Sequence, residues 1–120
     1  MVESASDAEL DFDDAARVLP DWATWRTPRQ LAWHIADTES RYYLRSLGVE
    51  PVPRTLDLID ELRRSAEHVR AVVTRVPPDL VVEARHEVWT TTKVLRRLAW
   101  HERGELAVLR NLLARAAQLT

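Results

Sequence analysis

Apolar residues along this chain recur mostly at three- and four-residue intervals, interrupted by prolines, and that spacing predicts helices. The signals agree best between Thr27 and Leu47. Thr27 is a capping hydroxyl, Pro28 takes the first helical position, and Leu31, Ile35, Thr38 and Tyr42 share one stripe with His34. Gly48 stands where a left-handed C-cap belongs, and Pro51 and Pro53 keep the chain from continuing helically. Thr55 is placed to cap the next helix, where Ile59, Leu62, Ala66, Val69, Val73 and Val76 recur at helical spacing until Pro77-Pro78 ends the run. His68 falls with Glu61, Arg64 and Ser65 on what this pattern makes the wet side. The threonines at 90 to 92 open the longest helix, reaching about Gln118, with Val94, Leu98, His101, Glu105, Val108 and Leu112 in one stripe.

Elsewhere the pattern is less regular. Ser6 and Glu9 spell a capping box, and Leu10, Phe12, Ala15, Ala16 and Leu19 fit one side of a short first helix that Pro20 stops. Asp21 to Arg26 reads as a tryptophan-bearing connection. From Asp79 to Val88, Val81 and Val82 favour extended structure while charges break any apolar stripe, so the stretch reads as a loop.

A length of 120 residues makes one domain, residues 1–120, and only two glycines leave little scope for the tight turns of an all-β protein, so the class reads as all-α. The formal net charge is -2 with no basic block, which argues against a nucleic-acid partner. Cysteine is absent, which removes disulfides, thiolate ligands and a cysteine nucleophile and fits a reducing compartment. The stretch from Met1 to Asp14 is acidic, without the positive start and apolar run of a signal peptide, and no apolar stretch is long enough to span a bilayer. A soluble cytoplasmic protein with no membrane partner is expected.

One tetrapeptide occurs twice, as Leu31-Ala32-Trp33-His34 and Leu98-Ala99-Trp100-His101, in a chain with four histidines. Each copy lies early in a helical pattern and puts its histidine on an apolar stripe. Helical spacing sets Glu105 on the same face as His101, so that the two can grip one ion together. With His34 facing them, the three make an open site of two imidazoles and one carboxylate, a set that suits a catalytic divalent metal. A carboxylate among Leu98, Val108 and Leu112 is costly to desolvate unless it is paired or ligated. Asp37 and Glu39 lie on neighbouring faces, either of them a candidate second partner for a ligand imidazole. The plainer reading is a hydrogen-bonded core histidine, with His101 and Glu105 forming an ion pair four residues apart.

The stretches from Trp25 to Glu39 and from Trp89 to Glu102, each a tryptophan followed by a threonine-capped helix carrying the tetrapeptide, resemble the DinB-like proteins. That family includes bacterial thiol-dependent transferases and metal-dependent hydrolases. The resemblance covers two helices with their lead-ins. It implies an antiparallel four-helix bundle of DinB-like type, here with a shortened first helix, and a metal triad of one histidine on the second helix and a His-x-x-x-His pair on the last. His34 and His101 match the first two ligands; Glu105 stands at the third and departs from the pattern. A two-histidine, one-carboxylate variant is chemically sound with zinc, nickel, manganese or iron. The shortened first helix implies an apolar groove along the His34 and His101 faces, which a second copy would cover, so a homodimer is expected.

Other features add less. Of the five tryptophans, most are expected to be core, Trp33 and Trp100 packing sideways beside the site. Gly104 hints at a close backbone approach. Glu83-x-x-His86 occurs once, in the expected loop, which disfavours a dinuclear centre. Arg96 or Arg97 near an entrance would attract an anionic substrate. The sequence thus points to a metal-dependent hydrolase or thiol S-transferase acting on a small molecule, with His34, His101 and Glu105 as ligands, or with Glu105 off the metal as general base. The competing reading is a metal-free dimeric helical bundle that binds a small molecule or a protein partner.

Overall fold

The computed structural model describes residues 1–119. It is mostly helical with one small two-stranded sheet. Helix α1 spans Asp7–Leu10, α2 Pro28–Asp37, α3 Leu58–Val73 and α4 Thr91–Leu119; strands β1 (Val81–Ala84) and β2 (Glu87–Thr90) form a hairpin ahead of α4. No helix among the described residues is long and apolar enough to cross a membrane.

Helix α2 starts as its sequence demands. Thr27 accepts from the Gln30 amide, and the Gln30 side chain accepts from the Thr27 amide. After Asp37 the winding loosens into a π-helical turn over Thr38–Tyr43, tightens to a 3-10 turn over Leu44–Leu47, and ends at Gly48 with φ +80. The helical run to Leu47 is therefore present, but not as one α-helix.

Residues 49–57 then return along the run they have just left. Arg41 Nη2 donates to the Val52 carbonyl at 3.1 Å, and Arg54 pairs with Asp37. About nine extended residues span roughly 30 Å, enough to bring the chain back to the start of α2. Two contacts fix the consequence: Ser65 Oγ donates to the Ala36 carbonyl at 3.3 Å, and Ser40 Oγ meets His68 Nδ1 at 2.7 Å. Their near-constant offset means that α2 and α3 run parallel, with α4 antiparallel to both. The arrangement is not antiparallel throughout, because the long proline-bearing connection reverses the chain before α3 begins. Asp57, not Thr55, caps α3.

The interior falls into two apolar cores. One gathers Leu31, Ala32, Ile35, Leu58, Leu109, Leu112 and Leu113, closed by Val2 and Leu10. The other gathers Tyr43, Leu44, Leu47, Val72, Trp89, Val94 and Leu98. Between them lies a polar belt that includes the buried Glu39, Ser40, Glu61, Ser65 and His101. Glu61 is fully buried and pairs with Arg41 at 3.0 Å. The polar stripe of α3 therefore faces inward, correcting the wet side expected for Glu61, Ser65 and His68; only Arg64 of that set is exposed. Apolar periodicity could not show this, since the partner surface of α2 and its π-turn is itself polar.

The first helix is shorter than its apolar spacing suggests. Asp11 and Asp7 turn to Arg29, Asp13 chelates Arg26, and Asp14 accepts from the Ala16 amide, so side chains that a longer helix would point into water instead hold a coil against the lead-in to α2. The stretch expected to be a loop contains the hairpin, with Val81 opposite Thr90 and Ala84 opposite Glu87. Arg85 and His86 form its two-residue turn, both at positive φ, 52 and 63. Such turns favour Asn and Gly, which is why this one left no signal in the sequence. Among the tryptophans, Trp89 is buried while Trp22 and Trp100 are largely exposed, so Trp100 is not core. Nothing approaches Gly104, so no close backbone contact explains it.

Candidate metal centre

The polar belt brings His34, His101 and Glu105 together, one ligand atom from each lying within 4.8 Å of the others. The α2 and α4 axes run antiparallel here, and His34 near the end of α2 meets His101 in the first half of α4. Nε2 of His34 and Nε2 of His101 are 3.2 Å apart. Metal–nitrogen bonds of about 2.0–2.1 Å place neighbouring ligands of a tetrahedral site about 3.3 Å apart, so the two imidazoles already stand at that edge length. The donor set and its spacing fit a divalent ion.

Each ring is held from outside. Thr38 Oγ1 lies 3.2 Å from His34 Nδ1, one helical turn on, and the Trp25 indole stacks on the His34 ring with centroids 3.6 Å apart. Tyr43 presses edge-on to His101 at 5.8 Å between centroids. His101 Nδ1 is buried and has no partner among the described residues. Burial, and then the neighbouring His34, pull the His101 pKa down to about 4; burial lowers that of His34 as well. Both rings are neutral at pH 7, the form whose lone pair binds a metal.

Glu105 is half-buried, and desolvation raises its pKa while the positive charge of Arg17 opposes that rise. Arg17 is anchored by the connection itself, Nη1 donating to the carbonyls of Trp25 at 2.9 Å and Arg26 at 3.2 Å. The coil after α1 thus brings a positive charge to Glu105. On the outer side of His34, Asp37, Thr38, Arg41, Tyr42 and Arg54 line an open hollow with Trp25.

Asp37 and Glu39 part company in the structure. Asp37 is engaged by Arg41 and Arg54, whereas Glu39 is buried in the belt with Oε1 unpartnered. Glu83 and His86 sit exposed on the hairpin and join no metal-competent group among the described residues. Arg17, Trp25 and Tyr43 were not legible as site residues, because Arg17 acts on Glu105, and Trp25 and Tyr43 on the histidines, from a coil or a π-turn whose side-chain directions no regular period gives.

Comparison with protein-family models, with curated proteins and with solved structures finds no match for this chain.

Proposed function

We propose that this chain is a metal-dependent enzyme of the DinB-like kind, a helical bundle that holds one divalent ion through His34, His101 and Glu105. The observation that carries the reading is the convergence of the three ligand atoms within 4.8 Å at the one level where the apolar interior gives way to polar side chains. A bound ion would supply Lewis acidity, polarising a substrate oxygen or easing deprotonation of water or a thiol. The chain's own residues do the rest. Thr38 fixes the orientation of His34, Trp25 shields that ring from water, and Arg17 favours the ionised form of Glu105. A small molecule reaching the outer hollow would meet the aromatic faces of Trp25 and Tyr42 and the cations of Arg41 and Arg54. Hydrolysis and thiol S-transfer are the two reaction classes that suit such a centre.

The direct His34–His101 contact supports a second reading, in which one ring donates to the other and the belt is a metal-free cluster. Metal content of untagged protein, measured by plasma mass spectrometry alongside His101→Ala, separates the two. Near-stoichiometric metal in the parent, lost in the variant, is the expected result. No bound metal, and none taken up from added zinc, nickel, manganese or iron, would overturn the enzyme reading.

A further inference from the structure

A metal taking the Nε2 lone pair of each imidazole forces both rings to carry their proton on Nδ1, and a buried Nδ1–H needs an acceptor. His34 has one in Thr38 Oγ1. His101 has none, although its Nδ1 is buried. Ser40 is engaged with His68 and Ser65 with the Ala36 carbonyl, while Glu61 gives Oε1 to Arg41 on the α3 side and keeps a buried Oε2 without a partner. Glu39 is 8% exposed, and its Oε1 is buried without a partner.

Its place in the chain puts it at the right level. Glu39 follows Ile35 and precedes Tyr43 on one face of the run, inside the π-helical turn. His34, five residues before it, meets the His101 ring at 5.1 Å between centroids, and Tyr43, four residues after it, meets the same ring at 5.8 Å. Burial, and then the charge of Glu102, next in sequence to His101, raise the Glu39 pKa to about 8. π-turns inside helices gather at functional sites, where the extra residue per turn re-aims a side chain.

We propose that Glu39 is the positioning residue of this centre, its carboxyl accepting through a water molecule the hydrogen bond from His101 Nδ1 that turns Nε2 toward the metal. The proposal rests on the reading of His101 as a ligand, but its hydrogen bond exists without the metal. In metal-free protein it sets the tautomers: His101 carries its proton on Nδ1, and His34 carries its own on Nε2 and donates to His101.

Nitrogen-15 NMR of histidine-labelled, metal-free protein tests this directly. The parent and Glu39→Gln, which keeps an acceptor oxygen, are expected to show His101 as the Nδ1–H tautomer, and Glu39→Leu to lose that preference. Zinc affinity, measured by competition with a chromophoric chelator, is expected to fall about 10–100-fold in Glu39→Leu and to stay near the parent value in Glu39→Gln. A parent His101 protonated on Nε2, or a Glu39→Leu variant with unchanged tautomer and zinc affinity, would overturn the proposal. A parent that binds no zinc yet shows the Glu39-dependent tautomer would sink the metal reading and leave the hydrogen bond standing.

Discussion

Nε2 of His34 and Nε2 of His101 face each other at 3.2 Å although 67 positions separate the residues in the chain. Two neutral rings can sit this way only if a proton or a cation lies between their lone pairs. Their meeting point lies in the polar belt between the two apolar cores.

The burial of His101 has a pH signature. The His101 pKa falls to about 4 in the folded chain, against about 6.5 in an unfolded one, so between these values the unfolded state binds the proton that the folded state refuses. The contribution is whole above about pH 6.5 and is lost as pH drops toward 4, on the order of 3 kcal/mol. Urea denaturation with chelator present, run from pH 7.5 to 4.5, is expected to show a steeper loss of stability for the parent than for His101→Leu. Equal slopes would mean that His101 is not desolvated as placed.

Glu39 acts in the opposite sense. Its folded pKa, about 8, lies above the usual carboxylate range, so the folded chain keeps a proton that the unfolded chain releases, and stability declines as pH rises from about 4.5 to 8. Glu39→Gln removes the charge and should gain on the parent through that interval, by about 4 kcal/mol at pH 8, with no gain below pH 4.5. The same urea series reads it; a constant difference at every pH would count against a buried, titrating carboxyl.

The ion pair between Arg41 and Glu61 makes a second kind of demand. Glu61 is fully buried, so Arg41→Met strands a carboxylate and is expected to cost about 3–5 kcal/mol, while Arg41→Met with Glu61→Leu recovers most of that loss. Additive losses in the double variant would show that the pair is not coupled.

These polar residues mark where sequence reading succeeds and fails. The caps at Thr27 and Gly48, the long last helix and the shared face of His101 and Glu105 follow from local rules and a 3.6-residue period, while the repeated tetrapeptide suggested that His34 meets them, and the structure contains all four. The rule that polar stripes face water misplaced Glu61, Ser65 and His68, because it cannot know that Arg41, the Ala36 carbonyl and Ser40 respectively await them. The parallel course of α2 and α3 depends on what residues 49–57 do in three dimensions, and the hairpin turns on residues that rarely adopt its geometry.

His86 occupies that turn at φ +63 and is exposed on the hairpin. A left-handed conformation costs a non-glycine residue about 1–2 kcal/mol, and glycine adopts it freely at some entropic cost to the unfolded chain. His86→Gly is therefore expected to stabilise the protein by about 0.5–1 kcal/mol in urea denaturation. Destabilisation would indicate that the imidazole makes a contact the turn needs.

Glu105 offers the sharpest test of the proposed ion site. As a ligand, its oxygen completes the set, and a histidine at the same helical position presents a nitrogen to the same point. Glu105→His should then bind zinc at least as tightly as the parent, while Glu105→Leu, which keeps the apolar stripe but supplies no donor, should lose about tenfold or more. If Glu105 instead stays off the metal as a general base, Glu105→Leu keeps its zinc, and any hydrolytic rate falls without a change in affinity. Zinc competition titrations on the two variants and the parent distinguish these outcomes, because one role changes the dissociation constant and the other leaves it untouched.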